Sequence, residues 1–142
     1  MFNVDPPLQV WTHSLTSHTG MLEPLHEWVA MISTQLSKHG EQDLFVNACQ
    51  LGISELVTNV IKYAYRGERG RIIIQAREYQ DRVEFETQDK GFAFEVPLVS
   101  DEDLPVLREG SYGLLITESV MDEIIYNRTP EGINCWRLVK RF

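Results

Sequence analysis

The chain has 142 residues, 43% of them hydrophobic and 24% charged, with a formal net charge of −8. That length suits one domain with one core, spanning 1–142. The excess of carboxylates excludes nucleic acid as a main partner, because neutralising phosphates needs clustered Lys and Arg. Cys49 and Cys135 are the two cysteines, too few for a disulfide framework, so a reduced, cytoplasmic setting is expected. The first residues lack a basic segment followed by an apolar run, so no leader is expected. No apolar run close to the ~20 residues of a bilayer span is expected either, and no membrane role with it.

In chain order, Pro6 and Pro7 precede a strand predicted over 8–16, which alternates around Val10 and Trp11. A helix is predicted over 21–39, with Leu25, Trp28, Val29, Ile32 and Leu36 as its buried face and Gly40 as its stop. The four histidines have no ligand spacing and are read as surface or core residues. One long helix is predicted over 43–65, DLFVNACQLGISELVTNVIKYAY, with apolar positions at Leu44, Ala48, Leu51, Val57, Ile61 and Ala64. About 23 residues at ~1.5 Å rise make a rod of roughly 35 Å. Gly67 and Gly70 end it.

Segments 71–78 and 82–88 then read as a hairpin, with Val83, Phe85 and Thr87 facing one way and Glu84, Glu86 and Gln88 the other. Residues 92–109 show no period and hold Pro97, Pro105 and the cluster Asp101, Glu102, Asp103. A loop that long in a compact domain is commonly functional, often a lid. Gly110-Ser111-Tyr112-Gly113 opens a helix predicted over 114–124, and a second hairpin is predicted from 124–128 and 133–140. The expected fold is an α/β two-layer sandwich, a mixed and mostly antiparallel sheet with the helices on one face.

Three stretches carry chemistry. Glu55 and Asn59 stand four apart, so both side chains lie on one helix face, and Lys62 continues that stripe. A carboxylate can act as a base, and a carboxamide oxygen suits Mg²⁺, which prefers oxygen ligands and keeps several waters. Asp89-Lys90-Gly91 closes a strand, and Asp then Gly two residues later is also an ordinary turn signature. The glycine-containing turn at 110–113 runs into a helix N-terminus, where free N–H groups and the helix dipole favour phosphate. Each signal alone is common on chains that bind nothing.

Their order is what distinguishes them. SELVTNVIKYAY, QDKGFAF and GSYGLLITESVMDEI, in that sequence, resemble the GHKL ATPase family with the Bergerat ATP-binding fold. Within it the chain looks like the small anti-sigma factor serine kinases. The resemblance implies ATP and Mg²⁺ as cofactors. Glu55 would be the general base and Asn59 the Mg²⁺ ligand, with Lys62 on the same side of the nucleotide. Asp89 would accept a hydrogen bond from the adenine amine, Gly91 would let the base lie close to the backbone, and Ala93 would be a further residue of the ATP site. Gly110, Ser111, Tyr112, Gly113 and Leu114 would wrap the phosphates, with Arg108 reaching one of them. Asn134 would sit near the adenine, where the family usually has a hydroxyl residue. Ser111 and Ala93 stand where relatives commonly have glycine. The implied activity is phosphorylation of a serine on an anti-anti-sigma partner of the STAS type, with a sigma factor as a further partner and homodimerisation through residues such as Val10 and Trp11. The alternative is a nucleotide-responsive sequestering module of the same fold with little or no kinase activity.

Overall fold

The computed structural model describes residues 5–37, 43–94 and 111–142. Strand β1 (Gln9–Thr16) leads through a short 3₁₀ turn (Thr19–Met21) into helix α1 (Leu22–Gln35). Helix α2 (Asp43–Asn59) continues into a π-helical turn (Val60–Ala64). The hairpin β2 (Arg71–Glu78) and β3 (Arg82–Asp89) follows, then α3 (Ser111–Val120) and the hairpin β4 (Glu123–Arg128) and β5 (Asn134–Arg141). The strands form a five-stranded sheet in the order β1-β2-β3-β5-β4. Where the sequence allowed a mixed sheet, all four pairings are antiparallel. Hairpins account for two of them, β2-β3 and β4-β5, whose strands are joined by short turns; β1-β2 and β3-β5 pair across longer connections.

Alternation sets the two faces of the sheet. Ile72, Ile74 and Ala76 are fully buried, while Ile73 between them is 40% exposed. On β3, Val83 and Phe85 join the same core as Leu25, Val29 and Ile32 of α1 and Ile53, Leu56 and Val57 of α2. The opposite face of the sheet carries ion pairs in place of helices. Arg77 meets Glu86 at 2.8 Å, and Arg82 meets Glu84 at 2.6 Å. The expected split of Val83, Phe85 and Thr87 from Glu84, Glu86 and Gln88 therefore holds.

The helices depart from the sequence reading in register. Helix α1 ends at Gln35, and the predicted stop at Gly40 lies outside the described residues. Ser37 N–H donates instead to the buried Glu78 carboxylate of β2 at 2.7 Å, which ties the end of α1 to the sheet. On α2 the buried stripe runs through Phe45, Cys49, Ile53, Leu56 and Val57, whereas Leu44 is 86% exposed and Leu51 also faces outward. Helix α3 starts at Ser111, and Ile124 belongs to β4. Asp43–Ala64 is, by length and composition, long and apolar enough to cross a bilayer, contrary to expectation. Half of that stretch is buried in this core, which accounts for its apolar composition. Trp11 faces α1 and donates to Gln35 Oε1 at 2.8 Å, so of the two predicted outward residues of β1 only Val10 is exposed.

A one-sided sheet makes a sharp prediction for two adjacent isoleucines. Ile74→Ala should cost about 2–5 kcal/mol of stability, as for other buried large-to-small changes. Ile73→Ala should cost less than about 1 kcal/mol, since half-exposed sites lose little. Urea denaturation of both variants checks this, and equal losses would mean that both faces are packed.

Candidate functional site

The site is built where β3 ends. Asp89 and Asn134 face each other across the β3-β5 ladder, the last and first residues of their strands. Both are buried, Asp89 at 2% and Asn134 at 0% exposure. Asn134 Nδ2 donates to Asp89 Oδ1 at 2.8 Å, and the Gly91 N–H donates to the same oxygen at 2.9 Å. The second oxygen, Oδ2, is buried and has no hydrogen-bond partner among the described residues. A buried carboxylate oxygen left in that condition costs about 1–3 kcal/mol or more. It is a pure acceptor aimed at whatever donor enters the site.

Electrostatics agree with the geometry. Burial pushes the Asp89 carboxyl above its ordinary range, opposed by the Asn134 and Gly91 hydrogen bonds and by the Arg128 charge. Burial raises the Tyr65 hydroxyl and the Cys135 thiol above their ordinary values, and the Asp89 charge adds to both shifts.

The segment leaving β3 is fixed onto the helix layer. A Cβ on Gly91 would lie 2.6 Å from the carbonyl carbon and oxygen of Ala64, so the close approach that Gly91 permits is to the end of the π-helical turn. Phe92 N–H donates to that same Ala64 carbonyl at 2.8 Å, and the Arg66 guanidinium sits 4.2 Å above the Phe92 ring. One turn before the π segment, α2 presents Glu55, half-buried, and Asn59, 5% exposed. The α-helical register holds from Glu55 to Asn59, so they stay one turn apart on one face. It changes to π immediately after Asn59, and Lys62 lies within that π turn, exposed. Single π turns of this kind are frequent at functional sites.

Helix α3 is seated on α2 near these residues. Thr117 Oγ1 donates to the Gly52 carbonyl at 3.3 Å, and Met121 packs against Gly52, where a Cβ would lie 2.8 Å from its side chain. Leu114 packs on the core cluster. Ser111, Tyr112 and Gly113 make the first turn of α3; their side chains lie outside the described residues, as do Arg108, Gly110 and the predicted lid over 95–109. Ala93 is exposed. The structure thus brings Asp89, Gly91 and Asn134 into one bonded cluster and keeps Glu55 and Asn59 together on the helix layer. Among the described residues no cluster of three or more His, Cys, Asp or Glu could hold a metal by itself. A cavity of about 400 Å³ opens beside Asp89, but Ile73, Gln88 and Arg71 line it on the uncovered face of the sheet. Tyr65, just after the π turn, and Asp89 itself also line it.

Sequence reasoning missed Tyr126 and Arg128. Tyr126 Oη donates to Asn134 Oδ1 at 2.6 Å, and Arg128 Nη1 to the same atom at 2.8 Å. The alternation of Ile124, Tyr126 and Arg128 along β4 was the available signal, since it puts all three on the face that Asn134 occupies.

The scaffold is thus a one-sided antiparallel sheet under helices, with a buried acceptor at a strand end and a carboxylate and a carboxamide one turn apart on the helix beside it. A family model described as "Histidine kinase-like ATPase domain" matches residues 20–140, and the chain belongs to that family. Among curated relatives it is similar to "Serine-protein kinase RsbW" of a bovine Staphylococcus aureus strain and to the protein of the same name from S. aureus strain Newman. Each is 30% identical over 130 aligned positions, covering 81% of this chain and 82% of the relative.

The raised Asp89 pKa gives two opposite pH effects. The folded protein binds this proton more readily than the unfolded chain, so the Asp89 contribution to stability falls as pH rises from the ordinary carboxylate value through the folded value. A ligand donor needs the ionised form, so ligand affinity changes the other way and is lost as pH falls through the folded value. Calorimetric titration with ATP between pH 7 and pH 4 should show affinity falling on acidification before an ordinary carboxylate would titrate. A flat profile would separate Asp89 from the ligand.

Proposed function

We propose that the chain binds ATP with Mg²⁺ and transfers the γ-phosphate to a serine hydroxyl on a protein partner. The observation that carries the reading is the buried, half-satisfied Asp89 carboxylate at the end of β3. Its free oxygen suits the 6-amino group of adenine, a donor, and repels the 6-oxo group of guanine, an acceptor. The family match and the relatives named as serine-protein kinases support the same reading.

In this mechanism Asp89 orients the base, and the phosphates run toward the start of α3, where Gly110, Ser111, Tyr112 and Gly113 stand in the sequence. Asn59 would offer its carboxamide oxygen to a bound Mg²⁺, a hard cation that prefers oxygen ligands. When bound, Mg²⁺ neutralises charge on the phosphates. Glu55, one turn before Asn59, orients the serine hydroxyl and accepts its proton. Phosphoryl transfer needs little else beyond positioning and charge neutralisation, which two residues one turn apart can supply at one site. The partner class we infer is an anti-anti-sigma protein of the STAS type, with sequestration of a sigma factor as the regulatory output.

Two sets of variants test this. Asp89→Asn places an amide N–H where an acceptor stood, so ATP affinity should drop by ~1.5–3 kcal/mol, the worth of a charge-assisted hydrogen bond. Discrimination against GTP should shrink in the same variant. Unchanged ATP affinity by calorimetry would remove Asp89 from the adenine site.

Glu55→Gln should leave ATP affinity nearly intact while slowing transfer by roughly 10²–10⁴-fold, the usual span for a general base. Asn59→Ala should instead weaken Mg-ATP binding itself. Radiolabel transfer to a purified STAS-domain substrate, with affinities measured in parallel, checks both. Transfer at the wild-type rate by Glu55→Gln would overturn its role as base. A wild type that binds ATP and the partner but transfers no phosphate would favour the sequestering module.

A further inference from the structure

Asn134 has two ends that differ in which one carries hydrogen. Its Nδ2 lies 2.8 Å from Asp89 Oδ1, 2.9 Å from the Phe92 carbonyl and 3.3 Å from the Gly91 carbonyl. Its Oδ1 lies 2.6 Å from the Tyr126 hydroxyl and 2.8 Å from Arg128 Nη1. Every partner on the nitrogen side is an acceptor, and Arg128, on the oxygen side, can only donate. A reversed amide would set its oxygen against a carboxylate and two carbonyls and its N–H groups against a guanidinium. Only one orientation satisfies this buried network, and a half-satisfied buried network is costly.

The orientation decides the state of Asp89. With the Asn134 N–H₂ toward it, Asp89 Oδ1 takes two hydrogen bonds, from Asn134 and Gly91. Oδ2 then stays an acceptor with no protein donor among the described residues. Arg128 also donates to the Gly91 carbonyl at 3.1 Å, which steadies the other donor to Asp89. Tyr126 is held in turn: its oxygen accepts from Phe94 N–H at 3.1 Å, and its ring packs on Trp136 with centroids 4.6 Å apart. Arg128 pairs directly with Asn134 in the β4-β5 ladder, so its reach is fixed by register.

We propose that Tyr126 and Arg128 are positioning residues for purine selection. By fixing the Asn134 amide they keep Asp89 Oδ2 as the acceptor that prefers a purine nucleotide bearing a 6-amino group over one that lacks it. The inference rests on the reading of Asp89 as the adenine contact and adds what enforces it. Neither residue needs to touch the nucleotide.

The test compares ATP with purine riboside triphosphate, which differs only by lacking the 6-amino group. Calorimetry gives the ratio of the two dissociation constants for wild type, Tyr126→Phe, Arg128→Met, the double variant and Arg128→Lys. Wild type should favour ATP by roughly 10- to 100-fold, the range for a hydrogen bond to a charged group. The double variant should fall to within about threefold, through weaker ATP binding, while its affinity for purine riboside triphosphate holds within about twofold. Each single variant should lower the ratio, and Arg128→Lys, which keeps a donor and the charge, should recover most of it. Should the double variant fail to fold, the single variants decide by the same ratio. A folded variant set that keeps the wild-type ratio, or that loses both ligands equally, overturns the proposal. A wild type that does not discriminate at all removes Asp89 from the adenine site, and the failure is then of that reading.

Discussion

The β3-β5 register is the constraint on which the site depends. Eight residue pairs run from Arg82 opposite Arg141 to Asp89 opposite Asn134. The side-chain period of a strand is two, so a slip of one residue would carry Asp89 to the uncovered face. That slip is opposed along the whole strand. It would also move Val83 and Phe85 out of the core and drive Glu84 and Glu86 into it, away from Arg77 and Arg82. The core thus selects the register, and the register delivers a carboxylate and a carboxamide to the same buried point. The hydrogen bond between them is a consequence of packing that is spread over the sheet.

The helix layer is joined to that point through backbone. The change from α to π after Asn59 widens the final turn, and Tyr65 N–H closes it on the Val60 carbonyl at 3.0 Å. The Ala64 carbonyl then accepts from Phe92, and Gly91 lies against the same peptide. A side chain larger than hydrogen at position 91 would push the strand end off the helix. Glycine here serves the distance between two layers. It couples the acceptor at the end of β3 to the helix that carries Glu55 and Asn59.

Much of this was legible in the sequence. The hairpin of β2 and β3 was read to within a residue because alternation is clean and the turn is short. The opposite faces of Val83 and Glu84 followed directly from period two. Glu55 with Asn59 and Asp89 with Gly91 could be singled out by spacing, and their order resembled one family. What was not legible depended on tertiary geometry. Helical periodicity fitted Leu44 and Leu51 as well as Phe45 and Cys49, and only the packed sheet distinguishes these stripes. The π turn has no sequence signature separate from an α-helix, since both share the same apolar pattern over 60–64. Trp11 looked like an outward apolar residue of β1, but its indole N–H finds Gln35 on α1. Tyr126 and Arg128 carried no motif; alternation puts them on one face of β4, but their bonds to Asn134 appear only in the β4-β5 pairing.

The polar cluster and the aromatic packing around it are mechanically one unit. Phe94 meets Trp136 edge-on with centroids 5.2 Å apart, Trp136 packs on Tyr126, and the Tyr126 hydroxyl reaches both Phe94 N–H and Asn134. The chain leaving β3 is therefore fastened three times within six residues: by Asp89 to Asn134, by Gly91 and Phe92 to Ala64, and by Phe94 to Tyr126 and Trp136. Polar contacts set direction in this arrangement, and the rings limit how far any of them can move. Rings that interlock edge-to-face resist rotation because each sits in a shaped gap. An acceptor held this way needs little reorganisation when a donor arrives. That is the condition under which a single buried hydrogen bond can discriminate between ligands that differ by one amino group.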